Sequence, residues 1–105
     1  MAKLNPTKIT WEAPTSNTDG SPIVGDLAYR LYVDGSGFAD FPGALNPDGK
    51  YEADITVMGL PDGASTLTLA AFYVDKPELI SDPSNGIDIV LGVARPNPPT
   101  GLDAV

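Results

Sequence analysis

At 105 residues the chain is long enough for one domain with a single core and too short for two. It has no cysteine and no histidine, which excludes disulfides, a thiol nucleophile, cysteine-ligated zinc and the side chain most used as a general base. With 6 Lys+Arg against 14 Asp+Glu the net charge is −8, a field that repels phosphate backbones and anionic lipid, so neither a nucleic-acid nor a membrane partner is expected.

No segment carries a helical stripe, because Pro or Gly interrupts nearly every window of ten. Period-2 alternation recurs instead. Residues 8–12 alternate with Ile9 and Trp11 on one face, and Pro14 ends the run. A polar loop fills residues 15–25. Residues 28–33 follow, with Tyr29, Leu31 and Val33 facing one way and Arg30 and Tyr32 the other. Asp34-Gly35 then supplies the positive φ that a tight hairpin requires, and residues 37–41 form the returning strand. Residues 51–58 give the clearest alternation, Tyr51, Ala53, Ile55 and Val57 against Glu52, Asp54 and Thr56. After the corner Leu60-Pro61-Asp62-Gly63, residues 65–74 place Leu67, Leu69, Ala71 and Tyr73 inward and Thr66, Thr68, Ala70 and Phe72 outward. Ile87, Ile89, Leu91 and Val93 mark the last long strand. Residues 94–105 are a proline-rich arm, apolar at Leu102.

Short strands with one apolar face each predict an all-β fold, two antiparallel sheets packed face to face over one domain, residues 1–93. The predicted core is Ile9, Trp11, Tyr29, Leu31, Val33, Tyr51, Ile55, Val57, Leu60, Leu67, Leu69, Ala71, Ile87, Ile89 and Leu91.

The motifs Ile9-Thr10-Trp11-Glu12-Ala13-Pro14, Asp19-Gly20-Ser21-Pro22-Ile23 and Tyr29-Arg30-Leu31-Tyr32-Val33, then Leu60-Pro61-Asp62-Gly63, Ala71 and Ser81-Asp82-Pro83-Ser84, come in the order and near the spacing of a fibronectin type III domain. Over residues 8–92 the chain resembles that family. The resemblance implies a buried Trp on the second strand and an immunoglobulin-like sandwich that works by presenting loops and edges. Two departures stand out. The family's corner tyrosine is replaced by Ser65-Thr66-Leu67, and only seven residues precede Lys8, too few for the family's proline-rich lead-in and first strand. A segment like that lead-in, Pro96-Asn97-Pro98-Pro99-Thr100-Gly101-Leu102-Asp103-Ala104-Val105, stands at the other end. It reads as a strand folded back on its own domain, an arm exchanged with another copy, the beginning of a next repeat, or an irregular tail matching by composition alone. A sandwich without its first strand exposes an unpaired edge, and an added strand would complete it.

Chemistry finds little footing. The carboxylate pairs Asp48/Glu52 and Glu78/Asp82 lie in loops or on outward positions, and the four Asp-Gly pairs at 19, 34, 48 and 62 lack a calcium-loop pattern. No catalytic, cofactor or metal residue is expected. The interaction candidates are the aromatics set away from the core, Tyr32, Phe38, Phe41 and Phe72, and in the arm Pro98, Pro99 and Leu102. The expectation is a non-enzymatic structural module with protein partners. Met1, the absence of an export signal, the acidity and the arm favour a phage virion protein, a capsid decoration or appendage subunit made in the host cytoplasm, with homo-oligomerisation through the arm. Fibronectin-like and immunoglobulin-like domains recur on phage particles. The alternative is a spacer or weak glycan-binding module of a larger bacterial surface protein or carbohydrate-active enzyme.

Overall fold

The computed structural model describes residues 2–94 and 96–105. The chain forms nine strands and no α-helix among these residues: β1 (Lys3–Leu4), β2 (Lys8–Trp11), β3 (Leu27–Val33), β4 (Ser36–Phe41), β5 (Ala44–Leu45), β6 (Tyr51–Asp54), β7 (Gly63–Tyr73), β8 (Lys76–Ile80) and β9 (Ile87–Leu91). They make two sheets. One has the order β1-β9-β7-β3-β4, with β8 also paired to β7; the other has the order β2-β6-β5.

The two sheets face each other across a shared interior. Ile9 of β2 and Ile55 meet Leu31, Leu67 and Ile89 of the larger sheet in one buried cluster. Beside it the Trp11 ring lies 4.9 Å from Tyr29, 5.8 Å from Phe41 and 6.3 Å from Tyr51, so four aromatics from both sheets close one end of the core. Such offset and edge contacts add about 0.5–1.5 kcal/mol per pair beyond area burial. Gly43 makes this packing possible: its φ is +72°, and a Cβ there would stand 2.7 Å from Trp11 Cζ2.

Turn chemistry sets the hairpins. Asp34 and Gly35 have φ of 50° and 86°, the pair of positive angles that a two-residue connection between right-twisted strands needs. Asp34 also locks the turn to the sheet. Its Oδ1 accepts from the Thr66 N–H at 2.9 Å, and its own N–H donates to the Thr66 carbonyl at 2.9 Å. Between β8 and β9 two serines take the place of a strand. The Leu69 and Ala71 N–H groups donate to Ser84 Oγ and Ser81 Oγ, while the Ser84 and Ser81 N–H groups donate back to the same residues' carbonyls. The loop between β2 and β3 is held by a bridge between Ser16 and Pro22 and by the Tyr73 hydroxyl, which donates to Asn17 Oδ1 at 2.6 Å.

Four expectations are corrected. First, the sheets are not wholly antiparallel: β1 pairs in parallel with β9, Lys3 opposite Ile89 and Leu4 opposite Val90. A short first strand therefore exists, but it lies on the larger sheet. Asn5 fastens it there, donating from its N–H to the Val90 carbonyl and exchanging two side-chain bonds with the Val93 backbone. Second, residues 51–58 are not one strand. The Asp54 carboxylate accepts from the Thr56 N–H and caps a 3₁₀ turn, Ile55–Val57. The side-chain period changes from two to three, so Ile55 stays buried, Met58 packs on the core and Val57 swings out to 80% exposure. Third, β8 has no counterpart among the predicted strands; it is an exposed edge strand, where proline is tolerated. Fourth, Ile87 pairs with the inward Leu67 yet is 42% exposed, because no strand beyond β2 covers that side of the sandwich among the described residues.

Candidate interaction surfaces

The outer face of the larger sheet carries three of the predicted aromatics or their neighbours. Arg30 and Asp40 are cross-strand partners on β3 and β4. Arg30 Nε and Nη2 donate to Asp40 Oδ1 and Oδ2 at 2.8 and 3.1 Å, a bidentate pair. The pair holds the Asp40 carboxyl below its ordinary value and the guanidinium above its own. Tyr32 stands half-buried beside it. Phe38 is exposed for a local reason. Leu31 pairs with Ala39 and Tyr32 with Gly37, so Phe38 is the extra residue of a β-bulge and is turned out of the ladder. Arg30, Tyr32, Gly37, Phe38, Ala39 and Asp40 line a shallow open depression.

Phe72 is not a free anchor. It does lie on the outer face, opposite Ala28 and Ile80, but it is only 7% exposed, with the Arg30 guanidinium 5.4 Å from its ring centroid. Cross-strand neighbours and a cation–π contact cover it. Phe41 likewise belongs to the interior: it is half-buried against the core and against Trp11. Sequence alternation marks which face a side chain takes and cannot show what a neighbouring strand lays over it.

Pro98, Pro99 and Leu102 lie in an exposed segment. Residues 96–105 form no strand and pair with no part of the body, and Leu102 is 98% exposed. The molecule measures 67 × 30 × 23 Å with a radius of gyration of 17.5 Å, against about 13 Å for a compact chain of this size.

A further surface lies at the edge of the smaller sheet. β2 ends its sheet, bonded to β6 on one side only. Beside its open edge a cleft of about 320 Å³ runs between the sheets, lined on one side by residues 9–12 and on the other by Leu31, Leu67, Leu69, Ser84, Asn85 and Ile87. The Trp11 Nε1–H, buried at this strand, has no hydrogen-bond partner among the described residues. The short span before Lys8 had pointed to an open edge; the cleft itself depends on how far apart the sheets stand, which no local pattern records.

Glu52 is engaged by Lys8 Nζ at 3.0 Å, a bond that lowers the Glu52 carboxyl and raises the Lys8 ammonium. The Asp-Gly pairs at 19, 34 and 48 sit at turns or bends, and in the fourth Asp62 is at a bend while Gly63 begins β7. Among the described residues no group of three or more acidic side chains is placed to hold a metal ion, and no helix is long and apolar enough to cross a membrane. The sequence matches no protein-family model, and no curated protein or solved structure shows significant similarity to it.

Proposed function

We propose that this chain is a non-enzymatic structural module, fibronectin type III-like in kind, that binds other protein subunits through a sheet edge, its loops and its C-terminal segment. The observation that carries the reading is the open edge of β2 over a cleft floored with core side chains. An edge strand offers its free N–H and C=O groups to any added strand, and the pockets beside it select side chains. Its setting is a phage virion, where the chain serves as a capsid decoration or appendage subunit. Support for that setting is compositional: an acidic chain without Cys or His, with an exposed arm.

A second reading, a glycan-binding or spacer module of a bacterial surface protein, has one observation in its favour. Tyr32 and bulge-turned Phe38 flank the Arg30–Asp40 pair, and an aromatic beside a charged fork suits a sugar ring and its hydroxyls. Immunogold electron microscopy with an antibody to the chain separates the two. Label on virus particles is expected. Label confined to the bacterial envelope would favour the second reading, and label on neither would overturn both.

A further inference from the structure

We propose that the cleft beside β2 takes residues 100–105 of a second copy of this chain as an added strand. This inference rests on the reading of the chain as an interaction module and names its partner.

The acceptor side is defined by what lacks a cover. Among the described residues β2 has no backbone partner on its outer edge, and alternate residues of such a strand point N–H and C=O outward. Ile87 shows that a side-chain layer is missing as well. It faces inward, opposite Leu67, and still is 42% exposed, whereas Ile89 two residues on is 2% exposed. A strand laid along β2 would cover Ile87 and close the cleft.

The donor side has the matching chemistry. Pro96, Pro98 and Pro99 have no N–H to give a ladder, but from Thr100 to Val105 every residue has one. In an extended strand Leu102 and Ala104 share one face, with Asp103 and Val105 on the other. Leu102, 98% exposed, then enters the apolar cleft. Asp103 faces water on the side of Lys8, which is exposed on β2 and already bonded to Glu52.

Geometry selects a second copy over self-closure. The cleft lies at the start of β9, among Ser84, Asn85 and Ile87. The segment departs beyond the other end of β9, past Leu91 and the Asn5 clip on Val93. To reach its own cleft it would have to reverse direction, and three prolines in four residues hold it extended. Each copy then gives at one end and receives at the other, a heterologous contact that closes into a ring or continues as a chain.

The test uses the full chain and one full-length variant, Leu102→Asp. Light scattering over increasing concentration should show the native chain rising to at least double the 10.9 kDa of one copy, with association in Leu102→Asp weakened about tenfold or more. The variant keeps an intact cleft. A synthetic peptide of residues 96–105, added to isotope-labelled Leu102→Asp, should shift the resonances of Ile9, Thr10, Trp11 and Ile87. Association untouched by Leu102→Asp, or a native chain that stays monomeric with no peptide-induced shifts at β2, would overturn the proposal. Neither result bears on immunogold labelling, so the broader reading stands or falls separately.

Discussion

β3 and β7 meet along seven residue pairs, from Leu27 opposite Tyr73 to Val33 opposite Leu67, and each has strands on its other side too. The smaller sheet has only the four pairs of β2 with β6 and the two of β5 with β6. The larger sheet is also covered in part on its outer face, where Arg30 lies over Phe72. The smaller sheet contributes Ile9 and Trp11 to the core and leaves the edge of β2 open. On the proposed reading, stability and association reside in different places. The ladder-rich sheet carries most of the strand pairing, and the thin sheet, with β2 open, is where the proposal places the added strand.

That division can be broken first at the centre of the larger sheet. Leu67→Ala removes a side chain buried to 1% exposure and should cost about 2–5 kcal/mol in denaturant unfolding. A loss below about 1 kcal/mol would mean the core is not organised around β7. Gly43→Ala probes where the sheets meet. The new methyl would stand 2.7 Å from Trp11 Cζ2 at a φ of +72°, so a destabilisation of about 1–3 kcal/mol is expected, with altered Trp11 fluorescence. Asp34→Ala should cost about 1–2 kcal/mol, since it removes the bond to the Thr66 N–H and the tolerance of positive φ.

Acid sharpens the comparison further. Asp19, Asp40, Glu52 and Asp54 are all held below their ordinary values, chiefly by side-chain hydrogen bonds from Ser21, Arg30, Lys8 and Thr56. A carboxylate depressed in the folded state stabilises fully above its unfolded value and loses that contribution as pH falls through the folded one. Tm should therefore be steady near neutrality and drop below about pH 4. A Tm that rises on acidification would contradict these bonds. Leu102→Asp comes last and smallest. Far from every ladder, it should move the unfolding free energy by less than about 0.5 kcal/mol, while changing association.

Much of the larger sheet was legible in the sequence because its determinants are local. Tyr29, Leu31 and Leu67 alternate with polar neighbours, and Asp34-Gly35 admits one kind of turn. Two of the misplaced residues, Phe72 and Ile87, depend on strands distant in the chain, and Val57 depends on a local cap that alternation does not register. Phe72 is buried by Arg30 and Ile80, which alternation on its own strand cannot reveal. Ile87 is exposed because a neighbour is lacking. Val57 turns outward because the Asp54 carboxylate captures the Thr56 N–H and winds the chain. For Phe72 and Ile87 the face was set by the residue's own strand and the burial by another.

The β1–β9 junction has a mechanical consequence. The strands run parallel, so a pull entering through the N-terminal side of β1 and leaving through the C-terminal side of β9 drags them past each other along their length. The Asn5 bonds to Val90 and Val93 lie in that load path beside the ladder. They must give way together rather than one after another, as in a zipper. Under tension between its two ends the domain would resist at this short seam, and a partner drawn by the tail would load the seam before the core.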